Sequence, residues 1–510
     1  MAHVIGIDVG TSGTKTVLFD ENGKSVADAT EEYPLHTPNP GWTEQDPADW
    51  RKAAVNTLKA VLSQSGVDAG DIKGIGLSGQ MHGSVFLDAN KNVVRPAILW
   101  NDGRTADECD EITNAIGEKR LLELCSNPAL TGFTAPKAVW LKNKEPENFK
   151  KTKTLLLPKD YVRYCMTGEL AMEVSDGAGT LLFNVNQRGW CGEVLDKLGI
   201  PQEWMPPMKE STDVCGTITS AFAKETGLKE GTPVVGGGAD NACGATGTGV
   251  VVEGRVLSSL GTSGVILAPS NTAQTDPQGR AHTFCHSVPN MWYLMGVILS
   301  AGMSLRWYRD VIADGERAQA EREGKDPYDV MTALADTAPV GSEGLLFLPY
   351  LTGERTPHKD PYARGSFIGL TIRHKREHLI RSVLEGITFA MRDSLEIARS
   401  LGVETHEIRA TGGGAKSKFW RQLQADIYGT EISIISSDQG PAFGAAIMAG
   451  VGAGVYKSIP EACDAIISIK ERIEPNAERA KQYDEYYAVY RDLYGGVKGA
   501  CNTLSKMVAK

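Results

Sequence analysis

Short apolar runs separated by glycine turns at the start of the chain predict strands joined by tight turns. Apolar runs extend from Val4 to Val9 and from Thr14 to Phe19, with the turn Gly10-Thr11-Ser12-Gly13 between them. A further extended run, 25–33, follows the turn Glu21-Asn22-Gly23. Short extended runs separated by glycine turns are typical of hairpins, so we expect a strand and not a helix after the first glycine turn.

This order of elements excludes two common nucleotide-binding motifs. A Walker A loop reads GxxxxGK[ST], a dinucleotide fingerprint reads GxGxxG, and both lead into a helix. Residues 10–15 read GTSGTK, lead into a strand, and match neither motif.

The tetrapeptide Gly-Thr-Ser-Gly occurs a second time, at 261–264, again between two apolar extended runs. Two unrelated hairpins would give the same repeat, but the shared flanks favour two related domains. We predict a first domain over residues 1–250 and a second over residues 251–510. The boundary falls after the glycine-rich segment 236–249 and before the second repeat.

Apolar residues near helical spacing predict helices through the rest of the chain. In the first helix a proline-containing N-terminal turn precedes Trp50, Val55, Leu58 and Leu62. Tyrosines at 483, 486, 487 and 490 in the last helix are expected to pack on the body of the protein. The predicted helices are 46–64, 104–116, 300–312, 378–400, 416–427 and 476–494.

Composition and length narrow the class of protein. The chain of 510 residues exceeds one hydrophobic core, so two domains of roughly 200 to 250 residues each are expected. A net charge of −10 argues against a nucleic-acid partner, because binding a phosphate backbone requires a basic surface. Nine cysteines without a CxxC pair indicate thiols in a reducing cytoplasm.

The sequence also argues against a membrane location. The start of the chain has no basic region of the kind that opens a signal peptide. The most apolar segment, 443–456, is short and rich in glycine and alanine, which favours a close-packed helix over a membrane span. We therefore expect a cytoplasmic protein that does not bind membranes.

Two carboxylates beside glycine turns are candidates for chemistry. Asp8 ends the first strand, where turn amides and hydroxyls can face phosphate oxygens and a carboxylate can orient magnesium, directly or through water. The alternative is a hairpin whose aspartate caps the turn. Asp240, within 236–244, is the better candidate for the base that accepts a hydroxyl proton in phosphoryl transfer. It could also cap a helix that starts near Ala242.

Two further segments could contact a ligand, one through glycines and the other through histidines. The run 410–417 lies between an extended segment and a helix and could pass the flat face of an adenine base. His282 and His286 could bind zinc, but on a strand they would lie about 13 Å apart at roughly 3.3 Å per residue, too far for one metal.

Several segments of the chain match those of a known family. The chain resembles the FGGY carbohydrate kinases, within the sugar kinase, Hsp70 and actin fold group, over nearly its whole length. The most specific match is the C-terminal signature, 365–370 followed by 378–385. In the N-terminal signature around 134–143, Ala138 stands where a larger apolar residue is usual. The resemblance implies an α/β fold of two actin-like (ribonuclease H-like) ATPase domains with an interdomain cleft.

Within this family the segment 79–83, Gly-Gln-Met-His-Gly, is similar to the branch that phosphorylates D-xylulose, whereas glycerol kinases place Arg-Glu at the Met-His position. Segments 40–46 and 99–104 are similar to the same branch. The resemblance implies transfer from ATP to the C5 hydroxyl of D-xylulose, with slow ATP hydrolysis when no sugar is present. Ribulose, fuculose, rhamnulose or glycerol remain alternative substrates, and a non-kinase ATPase or nucleotide-controlled binding protein on the same fold is the rival from another class.

The resemblance also assigns site residues, with ATP, magnesium and a small sugar as ligands and a homodimer as the expected assembly. The implied catalytic residues are Asp240, as general base, and Asp8, near magnesium. The implied sugar contacts are Met81, His82, Trp100, Asp102, Asp240 and Asn241. The implied ATP contacts are Gly10, Thr11, Ser12, Gly13, Thr14, Gly261, Thr262, Ser263, Gly302, Arg306, Gly413, Gly414 and Ser417, of which Arg306 and Ser417 depart from the glycerol kinase residues.

Overall fold

The fold comes from a computed structural model that describes residues 1–436 and 439–508. Helices and strands are interspersed along the chain. The strands are β1 His3–Val9, β2 Gly13–Asp20, β3 Ser25–Glu32, β4 Glu44–Gln45, β5 Ile72–Gly79, β6 Val85–Leu87, β7 Ala97–Ile98, β8 Thr154–Leu156, β9 Met172–Glu173, β10 Phe183–Asn184, β11 Gly189–Trp190, β12 Met208–Lys209, β13 Val214–Thr217, β14 Pro233–Val235, β15 Gly238–Ala239, β16 Gly254–Leu260, β17 Gly264–Ser270, β18 His282–Cys285, β19 Trp292–Ile298, β20 Leu346–Leu348, β21 Ser366–Ile368, β22 Thr405–Gly412, β23 Glu431–Ile435 and β24 Ile469–Ile473.

The helices cover the faces of the sheets and the regions between them. They are α1 Pro47–Ser65, α2 Ala106–Ile116, α3 Glu118–Cys125, α4 Thr134–Lys144, α5 Pro146–Lys151, α6 Pro158–Thr167, α7 Val174–Gly177, α8 Gly192–Leu198, α9 Ser220–Thr226, α10 Asp240–Gly247, α11 Ala301–Val311, α12 Asp314–Glu323, α13 Pro327–Ala335, α14 Arg376–Ser400, α15 Lys418–Tyr428, α16 Pro441–Gly452, α17 Ile459–Ile466 and α18 Ala477–Val508. Short 3₁₀ segments lie at Ala69–Asp71, Ala178–Thr180, Gln202–Trp204, Val340–Gly344 and Gly413–Ala415.

Two seven-stranded mixed sheets form the framework and confirm the α/β class. In the first sheet β1 pairs antiparallel with β2 and parallel with β5. In the second, β16 pairs antiparallel with β17 and parallel with β22. One Gly-Thr-Ser-Gly turn therefore joins β1 to β2, and the other joins β16 to β17. The predicted strand-turn-strand unit is present twice.

The six predicted helices are all present. The first shows why such helices form: Asp46 accepts a hydrogen bond from the amide of Ala48, Pro47 occupies the first turn, and Gly66 ends the helix in the left-handed region at φ 63°. Five predicted helices end within two residues of the observed ones. The last continues past Tyr494 to Val508, and Cys501 and Ser505 are buried within this extension.

The predicted tyrosine face of α18 packs on the body of the second half. Tyr483, Tyr487 and Tyr490 are buried. The hydroxyl of Tyr483 donates to Glu385 at 2.8 Å, and that of Tyr487 donates to Asp393 at 2.7 Å. These contacts hold α18 against α14. None of the three tyrosines lines either of the cavities described below.

Helix α16 belongs to the second half of the chain but packs on the first sheet. A Cβ atom at Gly6 would lie 1.8 Å from the Ala442 carbonyl oxygen, and one at Gly76 would lie 2.0 Å from that of Ala445. Only glycine allows this approach. The prediction of a close-packed helix in 443–456 is confirmed, whereas the division at residues 250 and 251 stays a prediction.

Histidines 282 and 286 engage separate protein partners. The Nδ1 atom of His282 lies 2.8 Å from Oδ1 of Asn127, and Nε2 of His286 lies 3.0 Å from the Val250 carbonyl oxygen. Across residues 1–436 and 439–508 there is no cluster of three or more side chains suited to a metal. The same residues contain no helix that is long and apolar enough to cross a lipid bilayer.

Candidate active site

Two cavities lie on either side of the second glycine turn. The interdomain cavity, about 240 Å³, takes residues from both halves of the chain. The C-terminal cavity, about 300 Å³, takes residues from the second half. Gly261 and Thr262 line the C-terminal cavity and Ser263 lines the interdomain cavity, so one turn faces both spaces.

The interdomain cavity brings together most of the predicted sugar contacts. It is lined by Met81, His82, Trp100, Leu130, Gly132, Phe133, Asp240, Asn241, Ser263, Val265, Met295, Val297 and Arg355. Residues far apart in sequence therefore share one space, with polar groups set among apolar walls. This combination suits a small polar ligand whose orientation must be fixed.

His82 is held in a single orientation at this cavity. Its backbone is left-handed, at φ 67°, and its Nδ1 atom lies 2.6 Å from the Gly179 carbonyl oxygen. Burial, together with the cation of Lys137, keeps the pKa of His82 well below its ordinary value, so the ring is neutral. Because a carbonyl can only accept, Nδ1 carries the proton and Nε2 remains an acceptor for a ligand hydroxyl.

Asp240 begins α10 and faces the same cavity. Its Oδ1 atom accepts hydrogen bonds from the backbone amide of Asn241 at 2.7 Å and from its side-chain amide at 2.9 Å. Burial raises the pKa of Asp240 to about 7, and the nearby charge of Asp8 contributes in the same direction. A carboxyl group with a pKa near neutrality is well matched to general base catalysis.

Asp8 lies one residue before the end of β1, as predicted, and burial raises its pKa to about 6. Within residues 1–436 and 439–508 its buried Oδ1 atom has no hydrogen-bond partner. A buried carboxylate oxygen without a donor is suited to a hard cation or to a water molecule bound to one. Asp8 therefore fits the role of a magnesium-side residue.

A buried hydrogen-bond network supports the backbone just before Asp240. Oγ of Ser175 accepts from the amide of Ala239 at 3.0 Å and donates to Oε1 of Glu173 at 2.9 Å. Oε2 of Glu173 accepts from the hydroxyl of Ser211 at 3.0 Å. Sequence reasoning missed this network, since serine and glutamate at 173–175 carry no recognisable motif.

Glu173 also belongs to a fully buried ionic cluster. Lys159 Nζ lies 2.9 Å from Asp160 and 3.3 Å from both Glu173 and Asp176. Arg163 pairs with Asp160 at 2.8 Å and donates to the Gly236 carbonyl oxygen at 3.0 Å. The sequence signal was present as charged residues within the otherwise apolar stretch 154–166. The cluster anchors the glycine-rich segment that carries the candidate base.

The first glycine turn is linked to the cavity through Thr11. The indole Nε1 of Trp100 donates to Oγ1 of Thr11 at 2.9 Å, and that hydroxyl donates to Oε1 of Gln80 at 3.1 Å. Gln45 Nε2 donates to the Thr11 carbonyl oxygen at 2.7 Å. The turn is thus held by side chains from three other segments.

The remaining residues of this turn differ in their access to a ligand. The amide of Gly10 donates to the Gly13 carbonyl oxygen at 3.0 Å, which closes the turn. Ser12 is exposed at its tip. Thr14 is buried, and its hydroxyl lies 3.5 Å from that of Tyr33. A phosphate group approaching this turn would meet the backbone and Ser12 before the Thr14 hydroxyl.

Asp102, the remaining predicted sugar contact, is not among the residues that line this cavity. Its side chain is buried, with Oδ2 accepting from the Thr43 amide at 2.6 Å and from Arg104 Nη2 at 2.7 Å. Its Oδ1 accepts from the Arg104 amide at 2.9 Å. Both oxygens are therefore occupied, and Asp102 stabilises the loop that carries Trp100.

The C-terminal cavity gathers the five residues predicted for the adenosine side together with two residues of the second predicted phosphate turn. Gly261, Thr262, Gly302, Arg306, Gly413, Gly414 and Ser417 all line it. The amides of Gly302 and Met303 donate to the Gly261 and Thr262 carbonyl oxygens, both at 3.0 Å, so the start of α11 is fixed against the second glycine turn. A Cβ atom at Gly302 would lie 2.2 Å from the Gly261 oxygen, which explains the glycine.

Two predicted members of this cavity differ in character. Arg306 has a largely exposed side chain and forms an ion pair of 3.7 Å with Asp310. Ser417 caps α15, where its hydroxyl oxygen accepts from the Trp420 amide at 3.3 Å. The wall that sequence reasoning missed consists of Leu260, Met303, Leu305, Asp326, Tyr328, Asp329, Thr332, Lys416 and Trp420.

Comparison with known proteins agrees with this geometry. Residues 3–247 match the FGGY family of carbohydrate kinases, N-terminal domain, and residues 256–453 match the C-terminal domain. A Bacillus subtilis (strain 168) protein named xylulose kinase is 42% identical over 510 residues, which cover 100% of each chain.

Solved structures share the fold. The crystal structure of xylulose kinase from Rhodospirillum rubrum aligns with a TM-score of 0.91 at 30% identity, over 98% of this chain and 99% of that one. The crystal structure of gluconate kinase from Lactobacillus acidophilus aligns with a TM-score of 0.92 at 29% identity, over 99% of each.

Proposed function

The chain belongs to the FGGY family of carbohydrate kinases, and on that premise we propose that it transfers the γ-phosphoryl group of ATP to the C5 hydroxyl of D-xylulose. The observation that carries the proposal is Asp240, a carboxyl group with a pKa of about 7 beside a glycine turn that also faces the C-terminal cavity. Relatives named xylulose kinase support the choice of sugar.

In the proposed reaction Asp240 accepts the proton of the attacking hydroxyl. Its Oδ1 atom is occupied by Asn241, whereas within the described residues Oδ2 accepts no hydrogen bond and is available to the sugar. As the hydroxyl oxygen forms its bond to the γ-phosphorus, the bond from that phosphorus to the β,γ-bridging oxygen breaks and ADP leaves. The proton remains on Asp240 until it is lost to solvent after product release.

The sugar would lie in the interdomain cavity. Nε2 of neutral His82 accepts from a sugar hydroxyl, and the Asn241 amide orients the carboxylate of Asp240. Met81 and Trp100 supply apolar surface for the carbon chain.

ATP would place its adenosine in the C-terminal cavity and its phosphates at the glycine turns. A wall that combines Gly413 and Gly414 with the aromatic rings of Tyr328 and Trp420 suits a flat base. The triphosphate then extends past Gly261 toward Ser263, where the two cavities adjoin. Backbone amides of both turns donate to phosphate oxygens.

Magnesium fits Asp8 on the strength of its buried, unpartnered oxygen. Bound there, it would neutralise charge on the phosphate oxygens. Before magnesium binds, the negative charge of Asp8 also raises the pKa of Asp240.

Three further assignments complete the proposal. All nine cysteines are free thiols, which supports a reducing compartment such as the cytoplasm. The homodimer and the division into domains 1–250 and 251–510 stay predictions.

The test of the substrate is kcat/KM with ATP and magnesium across D-xylulose, D-ribulose, L-ribulose, L-fuculose, L-rhamnulose, glycerol and D-gluconate. The proposal expects the highest value for D-xylulose. Gluconate belongs in the panel because a gluconate kinase shares this fold. A higher value for another compound would retain the kinase and refute the sugar.

A further inference from the structure

The interdomain cavity contains a cation that has no partner among the residues that the structure describes. Arg355 lines this cavity beside His82 and Phe133. Within residues 1–436 and 439–508 its guanidinium makes no hydrogen bond and no ion pair. A partly buried guanidinium has five donor hydrogens to satisfy, so a side chain left in this state is suited to a ligand that brings oxygen atoms.

The backbone on both sides of Arg355 is fixed to the cavity wall. On one side, Oε1 of Glu354 accepts from the Arg355 amide at 2.7 Å and from the Leu299 amide at 3.0 Å. On the other side, Oγ1 of Thr356 accepts from the Val297 amide at 3.1 Å, and the Thr356 amide donates to the Val297 carbonyl oxygen at 3.1 Å. Arg355 is therefore positioned in advance of any ligand.

The positive charge of Arg355 is not neutralised by its neighbour. Burial raises the pKa of Glu354 to about 8, so this carboxyl group is mostly protonated at pH 7. Burial, Lys137 and Arg355 together keep the pKa of His82 well below its ordinary value, whereas the charge that acts most on Asp240 is that of Asp8. Arg355 and Asp240 thus bring opposite charges to one cavity, and neither residue is among the groups that shift the pKa of the other, which indicates that the two lie apart.

We propose that Arg355 determines specificity for the end of the sugar remote from the transferred hydroxyl. Its planar guanidinium would donate to two neighbouring oxygens there, such as the ketose carbonyl and the adjacent hydroxyl. The inference rests on the proposed function, which places the transferred hydroxyl at Asp240. It predicts that a carboxylate at the remote end binds better than a neutral group.

Two matched five-carbon ligands test this prediction. D-xylonate carries a carboxylate at C1, whereas xylitol carries a neutral hydroxymethyl group on the same carbon skeleton. Isothermal titration of the full-length protein gives the Kd of each without requiring turnover. We expect D-xylonate to bind at least roughly tenfold more tightly than xylitol, as for other charge-assisted bidentate contacts.

Variants assign the preference to one residue. Arg355→Met keeps the length and apolar stem of the side chain but removes the donors, so it should abolish the preference for D-xylonate and raise the KM for the ketose by roughly tenfold. Arg355→Lys retains the charge without the planar fork and should keep part of the preference. Lys359→Met is the matched control, because Lys359 is an exposed cation outside the lining of the cavity.

Equal Kd values for the two ligands in the wild type, or a preference that survives in Arg355→Met, would overturn the inference. Loss of the preference in Lys359→Met would also overturn it, because the preference for D-xylonate would then come from the long-range charge of the protein and not from contact with Arg355. A preserved carboxylate preference in a protein that does not phosphorylate D-xylulose would support the role of Arg355 and refute the proposed sugar instead.

Discussion

The indole of Trp100 donates a hydrogen bond of 2.9 Å to the hydroxyl of Thr11, which joins a wall of the interdomain cavity to the first glycine turn. One residue was predicted to contact the sugar and the other to contact phosphate. Their direct contact gives sugar binding a physical route to the phosphate turn.

Trp100→Phe replaces the indole by a smaller aromatic ring that has no donor, so it tests this route. Loss of one hydrogen bond, worth about 0.5–1.5 kcal/mol, should raise the KM for both the sugar and ATP by about threefold to tenfold. Steady-state kinetics with each substrate varied in turn measures the effect. Trp190→Phe is the control, because it loses an equivalent bond to Pro206 away from the cavities. A change confined to the KM of the sugar would contradict the coupling.

Ser175→Ala tests the network that supports the base. The substitution removes the acceptor of the buried Ala239 amide, at a cost of about 1–3 kcal/mol. We expect kcat to fall roughly tenfold with little change in the KM for ATP, because the displaced group is Asp240. Ser382→Ala, which deletes a buried hydroxyl bonded to the Leu379 carbonyl oxygen, is the control for general stability. If Ser175→Ala and Ser382→Ala have the same Tm and also the same kcat, the network has no role in positioning Asp240.

Gly302→Ala tests the close approach of α11 to the second glycine turn. The added methyl group would meet the Gly261 carbonyl oxygen at 2.2 Å, so the turn or the helix must shift. We expect the KM for ATP to rise by roughly tenfold or more while the Kd for the sugar changes little. Gly495→Ala, on α18, adds a methyl group into open space and serves as the control. An unchanged KM for ATP would place the phosphates elsewhere.

The pH dependence of activity follows from Asp240. A general base works only in its ionised form, and burial together with Asp8 raises the pKa of Asp240 to about 7. Activity should therefore fall as the pH drops below about 7 and level off above it. The measurement is kcat/KM for D-xylulose at saturating ATP and magnesium between pH 5 and 9. A profile that is flat across this range would remove Asp240 as the titrating base.

Local sequence patterns were sufficient for the elements and the two hairpins, because glycine turns and apolar runs act over a few residues. They did not predict that α16 crosses to the first sheet. That contact depends on Gly6 and Gly76, which lie more than 360 residues away along the chain from Ala442 and Ala445.

Local sequence patterns also predicted only part of the candidate site. Residues within motifs, such as His82 and Asp240, were predicted to lie together, and the structure brings them into one cavity. Asp102 also lay in a motif, but its bonds to Thr43 and Arg104 turn it away from the cavity. Sequence reasoning missed Arg355, because it is tertiary folding that brings this residue to the cavity that His82 also lines, with no partner for its guanidinium in the described part of the chain.

The most direct test of the account is the initial rate of ATP-dependent phosphorylation of D-xylulose by the wild type and by Asp240→Asn, which keeps the shape of the side chain. The account predicts D-xylulose 5-phosphate from the wild type and a rate at least roughly a hundredfold lower from the variant, with the Kd for ATP nearly unchanged. A variant that remains as active as the wild type would contradict the role of Asp240, and a wild type that forms no phosphorylated D-xylulose would contradict the proposed reaction.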